Sequence, residues 1–421
     1  MYKKTALKNG LRVITHNIKD RDSIALGFWI GVGGRYEDDH IKGAAHFLEH
    51  IVFKGSQKYS CEEIKSLIEG IGGTLNAFTS EEQTCFYARI PSKHLKQTFD
   101  VLADMVSHPK IAIKDVDKEK TVIVEEIKMY HDLPQYFVLE LLDALLWPGH
   151  PLGKNLAGTP ESVMGMSDKD LKRFHQHFYA PGNIVVAACG NLTHEKIVAL
   201  VKKKLGGLHP SSKIGYRKIE GAQSGPRTRF YKKNIEQMHL ALGFPAYDEN
   251  HKDRYVLSLL STILGGNMSS RLFVEVREKR GLAYSISCSY KTLHDAGIFL
   301  IRAGVDNQKI VEAVTLILKE LNKIRRHGVG QNEFQRAREY LSGQLLLGLE
   351  DTMEHMLWVG EGMMKNKIKT RQDILKEFKK IKPADIQRVA NEILNVKRYN
   401  LAIVGPVNDQ QEKQLGQLLK G

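Results

Sequence analysis

The chain has 421 residues, 42% of them hydrophobic and 26% charged, with a formal net charge of +14. Such a composition is that of a globular protein, and the length suggests two or three domains rather than one. No stretch approaches the ~20 consecutive apolar residues that a membrane span needs.

The charge excess raises the question of nucleic acid. The basic runs Lys202-Lys203-Lys204 and Lys379-Lys380 fall at expected helix ends, where cations complement the helix dipole, and no aromatic-interleaved platform accompanies them. A solvated basic surface is therefore expected, with neither a nucleic-acid nor a membrane partner. The N-terminus is basic but lacks the apolar run of a secretory signal. Cys61, Cys85, Cys189 and Cys288 form no C-x-x-C pair, so neither a zinc ribbon nor a redox motif is implied and a reduced, cytoplasmic location is expected.

In chain order, strands are expected at Leu11 to Thr15 and Ile24 to Ile30, and helices at Glu62 to Ile71 and Leu95 to Val106. A further helix runs from Glu119 to Tyr130, and a strand near Asn183 to Val186 closes the first half. The segment 206–228, rich in Gly, Pro and Ser, reads as a linker. Strands then recur at Thr228 to Tyr231 and His239 to Phe244, followed by a helix at Ile310 to Arg326. The run Ala25-Leu26-Gly27-Phe28 repeats as Ala241-Leu242-Gly243-Phe244, an offset of 216. Asn183-Ile184-Val185-Val186 resembles Asn400-Leu401-Ala402-Ile403 at an offset of 217, and the near-equal offsets indicate duplication. Two α+β domains, 1–205 and 229–421, are thus expected, each a mainly antiparallel sheet with helices on one face.

The sharpest chemical signal is His46-Phe47-Leu48-Glu49-His50. At about 100° per residue, His46 and His50 stand one turn apart on one side of a helix with Glu49 beside them. Two imidazoles can grip one ion while the carboxylate reaches a water; this is the inverted H-x-x-E-H arrangement. A catalytic zinc usually has three protein ligands, so one is still required. Glu119 and Glu126, seven residues apart, share a helix face, and Glu126 could be the third ligand with Glu119 behind it. Taken alone, each feature has a plainer reading: packed histidines and a solvated acidic helix. An offset of 216 carries the motif positions to Thr262, Gly265 and Gly266, so the second half has no corresponding ligands. Gly360-Glu361-Gly362 is expected to be a loop or a helix break. His175 and His177, two apart on a helix, are not expected to share an ion.

Over nearly its whole length the chain resembles the pitrilysin, insulysin and mitochondrial processing peptidase family of metallopeptidases, in particular its short bacterial members. The likeness rests on the H-x-x-E-H motif with Glu126 placed 76 residues after His50, on Gly72-Gly73-Thr74-Leu75-Asn76-Ala77-Phe78-Thr79-Ser80, His150-Pro151-Leu152-Gly153 and Phe178-Tyr179-Ala180-Pro181-Gly182-Asn183. It also rests on the run from Ser270-Arg271-Leu272-Phe273 to Arg277-Glu278-Lys279-Arg280-Gly281-Leu282-Ala283-Tyr284-Ser285. The resemblance implies one zinc ion held by His46, His50 and Glu126, with Glu49 as general base and Glu119 in support. It implies substrate binding by Arg277 and Tyr284, and an edge strand at Asn76, Ala77, Phe78 and Thr79 that receives the peptide. The two domains are expected to form a clamshell around a chamber that admits short or unfolded peptides. A homodimer is expected, with a heterodimer containing a sibling subunit as the other arrangement. The competing reading is a non-catalytic core-type or regulatory subunit, but such proteins usually lack part of the ligand set, which is complete here. Ligand type favours zinc without by itself settling the ion.

Overall fold

In the computed structural model, which describes residues 2–209 and 214–420, residues 210–213 of the expected linker lie outside the described part. Eleven strands are found among the described residues: β1 (Lys3–Ala6), β2 (Arg12–Asn17), β3 (Ser23–Ile30), β4 (Thr74–Thr79), β5 (Thr84–Pro91), β6 (Ile184–Gly190), β7 (Arg227–Lys232), β8 (Gln237–Pro245), β9 (Ala283–Thr292), β10 (Gly297–Asp306) and β11 (Asn400–Gly405). They form a six-stranded sheet ordered β1-β2-β6-β3-β5-β4 and a five-stranded sheet ordered β7-β11-β8-β10-β9. One junction in each, β2 with β6 and β7 with β11, is parallel, and the remaining pairs are antiparallel.

The repeat is visible in the pairing. Arg12 faces Val185 and Arg227 faces Asn400, a displacement of 215 in both strands of the parallel pair. Trp29 faces Val185 and Gly243 faces Asn400, a displacement of 214 for β3 and β8, so each tetrapeptide match sits two residues away from the register of its ladder. Gly27 and Gly243 explain them differently: each lies under a crossing helix. A Cβ on Gly27 would lie 2.5 Å from Met356 Sδ, and one on Gly243 would lie 2.9 Å from the Leu142 methyls. The repeated glycine marks a close approach rather than a register.

Central strands set the layers. Every residue of β3 from Ile24 to Ile30 and every residue of β6 is buried, so both faces of the first sheet need cover. On one face Phe28, Phe86 and Ala88 pack against Phe47, Phe99 and Leu102. On the other, Ile14, Trp29, Val185 and Ala187 meet Met356, Val359 and Met363 from the helix Thr352–Met364. In the second unit, the helix Pro134–Leu146 places Phe137, Val138 and Leu142 on Ala241, Ile298 and Ala402.

This need for cover changes the expected division. The first unit comprises Met1–Ile127, Asn155–Arg217 and Leu346–Thr370; the second comprises Lys128–Lys154, Lys218–Leu345 and Arg371–Gly421. A cut into 1–205 and 229–421 thus misses the segments of each half that belong to the opposite unit. Gly360 also corrects an expectation. It is neither a loop nor a break but lies inside the helix Thr352–Met364, where a Cβ would collide with the Trp29 indole. No helix among the described residues is long and apolar enough to cross a membrane.

Candidate metal centre

The H-x-x-E-H residues occupy the helix Ala44–Val52, whose inner face buries Phe47, Leu48 and Ile51 in the core. Gly43 starts the helix at φ +99°, with Ala157 O so close that a side chain would collide with it. The free N–H groups of this first turn are met by a buried carboxylate: Glu37 accepts from Gly43 N at 3.0 Å and Ala45 N at 2.7 Å. Lys42 Nζ lies 3.0 Å from Glu37 Oε2, so the buried acid has a cationic partner. Glu37 was not evident in the sequence, because it lies six residues ahead of the helix cap with an irregular segment between them.

His46 and His50 hold their rings 4.6 Å apart, centroid to centroid. The second acidic element is the helix Ile113–Asp132, anchored by Val116, Ile123 and Ile127. Its two glutamates take different nitrogens of one imidazole. Glu119 Oε1 lies 2.9 Å from His50 Nδ1, while Glu126 Oε2 lies 3.4 Å from His50 Nε2 and 3.8 Å from His46 Nε2. One potential ligand atom from each of His46, His50 and Glu126 falls within 4.8 Å of the other two. Glu119 itself is buried and pairs with Lys54 Nζ at 2.5 Å, a partner one turn beyond His50.

These contacts set the electrostatics of the cluster. Burial, then the charge of His50, push the His46 pKa down to about 4, against the attraction of Glu126. Burial also opposes charge on His50, but hydrogen bonds to Glu119 and Glu126 outweigh it and raise its pKa to about 9. Glu126 is held low chiefly by its bond to His50. Glu119 is also lowered: burial works against its charge, but bonds to His50 and Lys54 prevail. Glu49 moves the other way, because burial disfavours its carboxylate more than Thr79 and His50 support it.

A His₂Glu donor set suits a divalent transition ion, and zinc in particular. The set fits such an ion here because two ring nitrogens and one carboxylate oxygen converge with Glu49 left outside the cluster. A carboxylate on the far nitrogen of His50 fixes the tautomer that presents Nε2 to an ion.

The segment Asn76 to Thr79 lies on β4, the last strand in the order of the first sheet, paired on one side with β5. Asn76 is exposed, Ala77 is buried, and Phe78 packs edge-on against Trp29 at 5.5 Å. Thr79 Oγ1 donates to Glu49 Oε2 at 2.5 Å, so this strand touches the acid of the motif directly. The sequence offered no signal for that bond.

Arg277 and Tyr284 belong to the second unit and stand together there, the guanidinium 5.8 Å from the Tyr284 ring and 4.6 Å from that of Phe273. Tyr284 is 74% exposed at the start of β9. The helix Arg254–Gly265, which carries Thr262 and Gly265, has no histidine or carboxylate along it. His175 bonds Val106 O at 2.8 Å and packs on Tyr179, whereas His177 packs on Phe178.

The chain matches two family models: "Insulinase (Peptidase family M16)" over residues 12–160 and "Peptidase M16 inactive domain" over residues 165–341. It is 35% identical to an uncharacterized zinc protease of Streptomyces coelicolor, covering 98% of this chain and 91% of that protein. It is also 35% identical to an uncharacterized zinc protease of Bacillus subtilis, covering 96% and 98%. Among solved structures, a protease from Helicobacter pylori superposes with a TM-score of 0.91 at 25% identity, covering 96% of this chain and 99% of that one. A peptidase M16 inactive domain from Pseudomonas fluorescens shares the fold at 19% identity, with a TM-score of 0.88 and coverage of 97% and 98%. On this evidence the chain belongs to the insulinase family of peptidases, family M16.

Proposed function

We propose that this protein is a zinc-dependent endopeptidase that cleaves short or unfolded peptides, with one ion per chain held by His46, His50 and Glu126. The observation that carries the proposal is the convergence of these three donors within 4.8 Å while the neighbouring Glu49 stays outside the set. The names of the curated relatives, zinc proteases, agree with it.

Zinc bound there supplies Lewis acidity, polarising a peptide carbonyl and making water acidic enough to lose a proton near neutral pH. The remaining work falls to the chain. The Glu49 carboxylate takes the proton from the attacking water and returns it to the departing amine nitrogen, and its partial burial makes it the stronger base. Thr79 holds Oε2 of that carboxylate, leaving Oε1 for the water. The edge of β4 offers backbone groups to an extended peptide, which explains the restriction to short or unfolded chains, since a folded protein has few such segments to present. A chamber of the kind the family resemblance implies would impose the same restriction. Arg277 and Tyr284 are suitable donors to a substrate carbonyl.

Glu49→Gln tests the assignment. The variant keeps its zinc, measured by elemental analysis, and loses turnover of a quenched peptide by about a thousandfold. Cleavage at the wild-type rate would refute the role of Glu49.

A further inference from the structure

The second unit contains a concavity of about 520 Å³ on the sheet face that also carries the helix Pro134–Leu146. Its floor is made by Gln237 and His239 of β8, Ser285 and Ser287 of β9, and Arg302 and Gly304 of β10; Tyr136 and Tyr284 also line it. The volume is that of an ordinary ligand site. Paired residues across an antiparallel ladder share a face, and the register sets Arg302 beside Ser287 and Gly304 beside both His239 and Ser285.

The charge of this lining is one-sided. It contains a guanidinium, an imidazole, hydroxyls and amides, but no carboxylate. Arg302 donates Nε to Ser287 Oγ at 3.1 Å, which orients the fork and leaves both terminal nitrogens available. Two other arginines of this unit are paired with carboxylates, Arg271 with Glu333 at 2.8 Å and Arg388 with Asp253 at 2.7 Å. Gly304 keeps the floor open: a Cβ there would lie 3.2 Å from Ser285 Oγ and 3.3 Å from Gln237 Oε1. The whole chain carries a net charge of +14, which draws anionic partners toward it.

We propose that this pocket binds a carboxylate of the substrate peptide, with Arg302 as its charged donor and Ser287 as the residue that aims it. The inference rests on the peptidase reading and gives it a substrate class: chains bearing an acidic side chain or a free C-terminus. An Arg fork matches a carboxylate bidentately, and a hydrogen bond to a charged group is stronger than a neutral one.

The test uses the full zinc-loaded chain and a quenched-peptide series in which Glu replaces Gln at successive positions, each peptide made with a free and an amidated C-terminus. The wild type prefers one acidic form by about tenfold or more in kcat/KM, and the arm showing the preference identifies the source of the carboxylate. Arg302→Gln removes that ratio; Arg302→Lys, which keeps the charge but loses the fork, retains part of it. Binding of the same acidic peptides is measured in parallel by fluorescence anisotropy on Glu49→Gln. Equal kcat/KM across the series, or a ratio unchanged in Arg302→Gln, overturns the pocket while hydrolysis leaves the peptidase reading standing. Arg302-dependent binding with no hydrolysis by wild type overturns the peptidase reading and leaves the carboxylate site standing.

Discussion

His50 receives a carboxylate at each ring nitrogen, and the two have different tasks. Glu126 meets Nε2, on the side of the proposed ion, whereas Glu119 holds Nδ1 and is itself tied to Lys54. Glu119→Gln keeps a hydrogen-bonding group but loses its charge, so zinc affinity should fall by about 10- to 100-fold, read by competition with a chromophoric chelator. Unchanged affinity would remove Glu119 from the metal centre. His175 makes a separate prediction. Burial first, and the charge of His108, press its pKa down to about 4, although its bond to Val106 O opposes them. Above pH 6.5 the ring is neutral in both the folded and unfolded chain and contributes no pH dependence. As pH falls below 6.5 the unfolded chain gains the proton first, so stability drops until about pH 4. Between pH 7.5 and 5 the loss should be about 2 kcal/mol. Urea midpoints of the chelator-treated wild type and His175→Gln should diverge over that window; parallel pH profiles would contradict it.

At the scale of elements, strand and helix positions were largely readable, because alternation and the 3.6-residue period specify a face locally. β3, β8 and the helices Cys61–Glu69, Leu95–Ser107 and Ile310–His327 start and end within a few residues of the expected limits. The Gly360 region misled because glycine lowers helix propensity by about 1 kcal/mol against alanine, which argues for a break. Packing reverses that argument. The helix Thr352–Met364 crosses the Trp29 indole at Gly360, and a side chain there has nowhere to go. Gly360→Ala should therefore destabilise the protein by about 2 kcal/mol despite the gain in propensity, as overpacking against a buried ring costs more than the helix recovers. Chemical denaturation would show the sign; a stabilised variant would mean that the indole moves aside freely.

For the whole molecule, duplication is evident in the sequence, but the exchange of covering segments is not. The first sheet receives Met356, Val359 and Met363 from the second half of the chain, and the second sheet receives Phe137, Val138 and Leu142 from the first half. A fragment ending at Arg217 therefore lacks the cover of Ile14, Trp29 and Val185. It should bind a hydrophobic dye and aggregate, while co-expression with the remainder of the chain should restore solubility. A soluble, dye-silent fragment would show that the crossing helix is dispensable.

The sequence alone determined the features with a short range: two imidazoles one turn apart, an acid between them, two glutamates on one helix face, and a fold written twice. Their spacing is fixed by the pitch of a single element, so no distant contact is needed to read it. Folding in three dimensions settled which nitrogen of His50 each glutamate reaches, that Glu37 caps the motif helix, that Thr79 bonds Glu49, and which helix covers which sheet. Those relations join residues from separate elements, and the periodicity of one element says which side is apolar or polar but not what it will meet.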